Sequence, residues 1–269
     1  MNPALRLLAT IGTASEDAFS YTGGLAQLFG RSVFVLFRSP LKHGRNLNRA
    51  IHQAMLGGVG AIPIISLIAF FIGVIMALQG AYELQRLGAL QLVASLVAIS
   101  ITRELGPLIT AIVVIGRSGS AFAAEIATMR VTEELDALET MALNPIAFLV
   151  SPKFLAMAFM LPCLVVWADL MGVLGGSFFG VTGANFTFGS YMTATRDALS
   201  LRDVMTGLVK SVVFGLVITA VGCQEGFSTG AGAEEVGKST TRAVVISIFL
   251  VVLVDLVFTA LFYVTHGGA

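Results

Sequence analysis

Residues 54 to 78 read AMLGGVGAIPIISLIAFFIGVIMAL, a stretch without a single ionisable side chain. A helix needs about 20 mostly apolar residues to cross the ~30 Å hydrocarbon core of a bilayer, so this stretch predicts a membrane-spanning helix. The whole chain has the same character, since 56% of its 269 residues are hydrophobic and 12% are charged. Soluble proteins use about 25% charged residues. The sequence therefore predicts an integral membrane protein.

Four further segments are long and apolar enough to span, and they cover approximately residues 90–116, 154–181, 204–223 and 243–264. Residues 15–38 differ, because charges interrupt their apolar positions. This pattern favours an amphipathic helix in the membrane interface, the alternative being a helix packed on the ends of its neighbours. The predicted fold class is all-α: an interfacial N-terminal helix followed by five transmembrane helices. We divide the chain into an N-terminal cytoplasmic or interfacial segment, 1–50, and a transmembrane domain, 51–269.

Lysine and arginine are distributed unequally between the two sides that these spans define. Eleven lie before the first span, between the second and third, or between the fourth and fifth, and three lie on the other side. Cytoplasmic loops are enriched in these residues. The N-terminus is therefore predicted to be cytoplasmic and the C-terminus to lie outside.

Charge and cysteine content exclude several classes of function. The formal net charge is zero, which argues against electrostatic binding of nucleic acid. Cys163 and Cys223 lie far apart inside apolar runs, so we expect buried, unreactive thiols and neither a disulfide nor a metal site.

Residues 232–239, GAEEVGKS, match the phosphate-loop pattern of nucleotide-binding proteins. That loop follows a buried strand inside a soluble α/β domain, whereas here a predicted span lies on either side. Glu234 and Glu235 would also place negative charge where phosphates bind. We interpret the match as a coincidence on a glycine-rich turn.

An acidic segment, TEELDALETMALNP at 132–145, lies between the second and third spans. Leu135, Leu138 and Met141 are three residues apart and would share one face of a helix. The rest of that helix is acidic, with Glu133, Glu134, Asp136 and Glu139. We predict that its apolar face inserts into a groove of a soluble partner; the alternative is a solvated connector.

Five ionisable residues lie within the predicted spans: Arg103, Glu104, Asp169, Lys210 and Asp255. A charge at the centre of a spanning helix costs about 2.5–3.5 kcal/mol on insertion scales, so we expect pairing, and predict Lys210 with Glu104 and Asp255 with Arg103. Such pairs either fix helix register or form a polar lining that meets a lipid headgroup, and five residues favour the lining. Gly106-Pro107 predicts a kink in the second span.

At these residues the sequence resembles the MlaE (YrbE-type) permease family. The motifs are RELGP at 103–107, GRSGSA at 116–121 (where we place the opening of the cytoplasmic loop), AEI at 124–126 and MR at 129–130. The acidic segment, SPK at 151–153 and the turn at 232–241 with RAVV at 242–245 match as well. The resemblance covers nearly the whole chain from about residue 15.

The resemblance implies a homodimeric permease of an ABC transporter that moves phospholipid or another hydrophobic molecule between the inner and outer membranes of diderm bacteria, a role in lipid asymmetry. It places the chain in the inner membrane, without catalysis or a cofactor of its own, because ATP and Mg belong to a separate cytoplasmic ATPase dimer. A STAS-domain protein and a periplasmic hexamer of MCE-domain protein are further implied partners. Residues 133–143 would form the coupling helix on the ATPase. Lipid would lie near Arg103 and Glu104 in a dimer cavity open to the periplasm.

Two other functions compete with this interpretation. An ion- or proton-coupled secondary transporter, or a channel, would use Glu104, Asp169 and Asp255 as a relay; inverted repeats would support it, and the sequence shows no repeat. A membrane scaffold without transport would leave the intramembrane charges without a use.

Overall fold

A computed structural model describes residues 44–266 and the single positions 23, 24, 27 and 30. Within that part of the chain every regular element is helical. Five segments are long and apolar enough to cross a bilayer, and we call them spans one to five: Ala50–Arg86, Leu90–Val131, Ile146–Thr182, Leu201–Phe227 and Ala233–Val264. The predicted all-α membrane architecture with five spans is confirmed.

Several spans contain more than one helix. Span one comprises most of Gly44–Gly58, a 3₁₀ turn at Val59–Ala61, and Ile62–Arg86; span two begins with a 3₁₀ turn at Leu90–Leu92 and continues as Val93–Ser100, Gly106–Val114 and Ser120–Val131. The helices of spans three to five are Ser151–Thr182, Leu201–Phe227 and Ala233–His266. Turns of π-helix occupy Ile101–Leu105, Ile115–Gly119 and Ile146–Val150. Two short helices complete the fold: the acidic helix, Glu134–Thr140, and the connecting helix, Phe188–Ala198.

Two predictions concern the N-terminal region. The interfacial helix over 15–38 falls almost wholly outside the described residues. The proposed domain boundary at residue 50 lies inside the helix Gly44–Gly58, and the division into two domains stays a prediction.

Span two is longer than predicted. Gly116–Ala121, expected to open a loop, lies inside the helix at and just beyond the second π turn, and the span continues to Val131. The small residues permit close packing instead of breaking the helix. A Cβ built on Gly119, for example, would lie 3.2 Å from the Ile218 side chain of span four.

Span three packs backbone to backbone against span one. A side chain at Gly73 would overlap the carbonyl oxygen of Gly172, and one at Gly175 would overlap the carbonyl oxygen of Phe70. Small residues allow such approach where no hydrophobic force drives helices together.

Span five forms an outer face of the described molecule. Its Val251 is buried, but Phe249 and Leu256 are 65% and 67% exposed, a surface suited to lipid or another protein. Of the cysteines, Cys223 is buried as expected, whereas Cys163 is exposed; the expectation of a buried thiol is wrong there, because an apolar side chain on a span can equally face lipid.

Candidate functional site

The first π turn, Ile101–Leu105, displays two adjacent charges, Arg103 and Glu104. Its widened geometry is shown by the amide of Gly106, which donates to the carbonyl of Ile101, five residues back. Pro107 follows and has no amide hydrogen, so regular α-helical bonding cannot continue through this point. The helix is thus irregular next to Gly106-Pro107, and the predicted kink there stays a prediction.

Lys210 of span four is buried at the centre of a polar cluster. Its Nζ lies 2.5 Å from Glu104 Oε2 of span two, 2.9 Å from Asp255 Oδ1 and 2.9 Å from Thr259 Oγ1 of span five. The Thr259 hydroxyl in turn donates to Glu104 Oε1 at 3.1 Å. The Lys210 side chain is 0% exposed, and burying a charge this deeply requires such partners. The predicted Lys210–Glu104 pair is present.

Arg103 pairs with a residue that the sequence analysis did not select. Its Nε lies 3.6 Å from Asp203 Oδ1, so the predicted pairing of Arg103 with Asp255 is wrong: Asp255 pairs with Lys210. Asp203 is the third residue of span four and forms a capping box with Ser200. The spacing Ser-x-x-Asp before an apolar run is a signal that could have found it. Thr259, one helical turn after Asp255, could have been found from its shared helix face.

Asp169 of span three lies apart from this cluster. Its carboxylate packs against Gly106, where any side chain would overlap it. Gly106 and Glu104 are two residues apart, hence about 200° apart around the helix. The Asp169 carboxylate, which packs on Gly106, and the Glu104 carboxylate therefore lie on different sides of span two. Within the described chain Asp169 Oδ1 is buried without a hydrogen-bond partner.

The acidic helix uses its two faces differently. Leu135 and Leu138 are buried in a cluster that joins spans two, three and four through Ile126, Leu149, Val150, Phe154, Ala220 and Cys223. Met141, in contrast, is 62% exposed. The prediction that all three apolar residues face a partner therefore does not hold for Leu135 and Leu138, because the apolar stripe docks on its own chain.

The exposed face of the acidic helix carries the carboxylates Glu134, Asp136 and Glu139, and the exposed Glu133 lies just before it. Glu133 precedes the helix in the left-handed conformation with φ 61°, which is uncommon for a residue other than glycine. At the other end the Asn144 side chain accepts the backbone amide of Ile146 at 3.0 Å. A groove of about 650 Å³ runs beside the helix and is lined by residues including Asp136, Glu139, Arg130, Leu143, Gln224 and Phe227.

A second ion pair, between a buried lysine and an exposed glutamate, lies at this end of the molecule. Lys153 is 1% exposed, its Nζ lies 2.5 Å from Glu125 Oε2, and it lies 4.8 Å from the centre of the Phe122 ring. The pair joins span two to span three next to the acidic helix. Both residues belong to motifs named above, but Lys153 lies just outside the predicted third span, so the sequence alone does not mark it as an intramembrane charge.

The segment that matches the phosphate-loop pattern is not the glycine-rich turn that we predicted, because all of it after Gly232 is helical. Gly232 has φ 110°, and the helix of span five begins at Ala233. Lys238 pairs with the two glutamates inside the pattern, at 3.1 Å from Glu234 Oε1 and 2.9 Å from Glu235 Oε1. The lysine that would meet a phosphate thus already has carboxylate partners one turn away.

Known proteins resemble this chain over most of its length. It is 39% identical over 245 residues to a probable ABC transporter permease protein of Rickettsia prowazekii, covering 91% of this chain and 93% of the relative. A probable ABC transporter permease protein of Synechocystis is 38% identical over 206 residues, covering 77% and 78%. The chloroplastic protein TRIGALACTOSYLDIACYLGLYCEROL 1 of Arabidopsis thaliana is 34% identical over 227 residues, covering 84% and 64%.

The family described as Permease MlaE matches residues 50–261. This range includes the polar cluster, the acidic helix and all five spans except the last residues of span five. The relatives from the two bacterial genera carry the same general description, an ABC transporter permease. The chain therefore belongs to the MlaE family of ABC transporter permeases.

Proposed function

We propose that this permease moves phospholipid, or a related hydrophobic molecule, between the inner and outer membranes of a diderm bacterium, and that a separate ATPase drives it. The name of the Arabidopsis relative is that of a galactosylated diacylglycerol, which supports a lipid as substrate. The permease itself holds neither ATP nor Mg and performs no catalysis in this proposal.

The polar cluster is the observation that carries the proposal. Glu104, Lys210 and Asp255 bring two carboxylates and one ammonium together from three different spans, at a place where charge is costly. Arg103 lies beside them with 39% of its side chain exposed. A lipid headgroup carries phosphate and polar groups, so this lining can receive the headgroup while the acyl chains contact apolar side chains. Asp169 is a further polar residue of the proposed pathway.

The acidic helix is proposed as the coupling helix. Leu135 and Leu138 fix it to three spans, so a force on the helix is transmitted to all three. Its exposed carboxylates and Met141 are then the contact surface for the ATPase, together with the groove beside them. In this assignment Leu135 and Leu138 act as anchors rather than contacts.

The remaining assembly of the proposal is the one that the family resemblance implies. The acidic-helix end faces the cytoplasm, as the lysine and arginine distribution predicts, and the N-terminus lies on that side with the C-terminus in the periplasm. Two copies of the chain form a homodimer whose cavity opens to the periplasm. An ATPase dimer, with a STAS-domain protein, binds on the cytoplasmic side, and a hexameric MCE-domain protein binds opposite.

Charge reversal on the acidic helix tests this proposal. Asp136→Lys with Glu139→Lys alters only exposed side chains, so the permease should fold. Co-purification of the ATPase should fall by at least about tenfold, because two carboxylates of the proposed contact surface are replaced by positively charged ammonium groups. The matched control, Glu83→Lys with Asp197→Lys, makes the same charge change on exposed residues at the other end and should retain the ATPase. Equal ATPase recovery with both double variants would reject the coupling assignment.

A further inference from the structure

Arg103 is held by one long ion pair that leaves its side chain partly exposed. The ion pair with Asp203 is formed through Nε at 3.6 Å, longer than the 2.7–2.9 Å typical of charge-assisted hydrogen bonds. A guanidinium binds phosphate most specifically through two parallel N–H groups. The Arg103 atom recorded in this ion pair is Nε, and 39% of the side chain is exposed.

Asp203, in contrast, is fixed. Its Oδ2 accepts the backbone amide of Ser200 at 3.0 Å and the Ser200 hydroxyl at 2.6 Å, while its own amide donates to that hydroxyl at 3.3 Å. The Asp203 side chain is only 15% exposed. The carboxylate therefore keeps its position whether or not Arg103 is beside it.

The backbone that carries Arg103 is also fixed. Gly207, one turn after Asp203, packs so closely on the carbonyl of Thr102 that no side chain fits between them. Glu104, the next residue after Arg103, is bound to Lys210. With the residues on both sides held by span four, movement at this point is confined to the Arg103 side chain.

We propose that Asp203 competes with the phosphate of the transported lipid for Arg103. In the empty permease Asp203 holds the guanidinium; a lipid phosphate then takes the bidentate face of Arg103, and the return of Arg103 to Asp203 favours release. Asp203 is thus a positioning residue that lowers lipid affinity so that cargo can leave. This inference rests on the proposed lipid transport and adds to it a residue and a chemical group, the phosphate.

Binding to the purified permease–ATPase complex tests the proposal with two short lipids, dioctanoyl phosphatidylglycerol and dioctanoylglycerol, which lacks the phosphate. Asp203→Asn should bind the phospholipid about two- to fivefold more tightly, the range expected from losing a partly exposed competing ion pair, and should bind dioctanoylglycerol as before. Asp197→Asn is the matched control, since it makes the same chemical change at an exposed carboxylate of the connecting helix, and its affinities should not change. Combining Arg103→Gln with Asp203→Asn should abolish the gain.

A second variant covers the case in which Asp203→Asn does not fold. Arg103→Lys keeps the positive charge but loses the bidentate geometry, and it should bind the phospholipid several-fold more weakly with dioctanoylglycerol binding unchanged. An Asp203→Asn complex that binds phospholipid no more tightly than the unaltered one, or that gains equally for both lipids, overturns the inference while the proposed function stands. An unaltered complex that binds neither lipid removes the proposed function and this inference with it.

Discussion

Lys210 is the residue on which the polar cluster depends most. It is completely buried and is the positive partner of both Glu104 and Asp255. Removing one member of a buried ion pair leaves an uncompensated charge, which is more harmful than replacing the whole pair. The free energy of unfolding of a Lys210 variant therefore shows whether the cluster depends on its lysine.

Lys210→Met is expected to lower the free energy of unfolding by about 3 kcal/mol, the lower end of the range for a buried pair, because the partly buried Glu104 and Asp255 then lose their cation. Denaturant unfolding in detergent measures this. Adding Glu104→Gln and Asp255→Asn to the same chain should restore part of the loss, whereas Lys238→Met, at an exposed pair, should unfold like the unaltered protein. A Lys210→Met variant as stable as the Lys238→Met control would contradict the pairing.

The ion pairs show which parts of the candidate site could be predicted from the sequence. Arg103, Glu104, Lys210 and Asp255 were identifiable because charge inside a span is rare and costly. Which charges pair depends on the rotation of each helix about its axis, and periodicity alone does not give that rotation. Asp203 was missed for another reason: the predicted fourth span began one residue after it, so it was counted with the loop.

At the scale of elements, the acidic helix buries Leu138, whereas Met141, which directly follows the helix, is exposed. Leu138→Ala removes a side chain that is 8% exposed and should destabilise the protein by about 2–5 kcal/mol. Met141→Ala removes an exposed side chain and should leave unfolding unchanged while weakening ATPase binding. Unfolding curves and ATPase co-purification on the same two variants separate anchor from contact.

The opposite pattern would contradict this division of the helix. If Leu138→Ala were as stable as Met141→Ala, the helix would not be docked on its own chain. The three-residue spacing predicted correctly that Leu135 and Leu138 share a face. It could not say whether that face meets this chain or another, since both provide apolar surface.

The contact between spans one and three depends on glycine. Gly73→Leu should prevent assembly of these spans or cost at least about 1–3 kcal/mol, because a side chain there overlaps the carbonyl of Gly172 and overpacking is destabilising. Gly237→Ala is the control, as a Cβ there meets nothing within 4 Å and alanine favours a helix by about 1 kcal/mol. Yield of folded protein in detergent measures both, and a normal yield for Gly73→Leu would contradict the observed packing.

At the scale of the whole molecule, span two connects the two candidate sites. Glu104 belongs to the polar cluster, and Ile126 packs with the acidic helix; they are 22 positions apart, which corresponds to roughly 33 Å along a helix. Five spans and their order were predictable, because each needs a long apolar run. The extension of span two to Val131 was not, since small and charged residues at 116–121 suggested a loop while packing against span four holds them helical.

Transfer of phospholipid in proteoliposomes that contain the permease and its ATPase tests the central claim most directly. We expect transfer to require hydrolysable ATP and the ATPase, and to fall with Glu104→Gln, which keeps the size of the side chain and removes its charge. Transfer that proceeds without ATP when a proton or ion gradient is imposed would contradict the account and support a gradient-driven carrier.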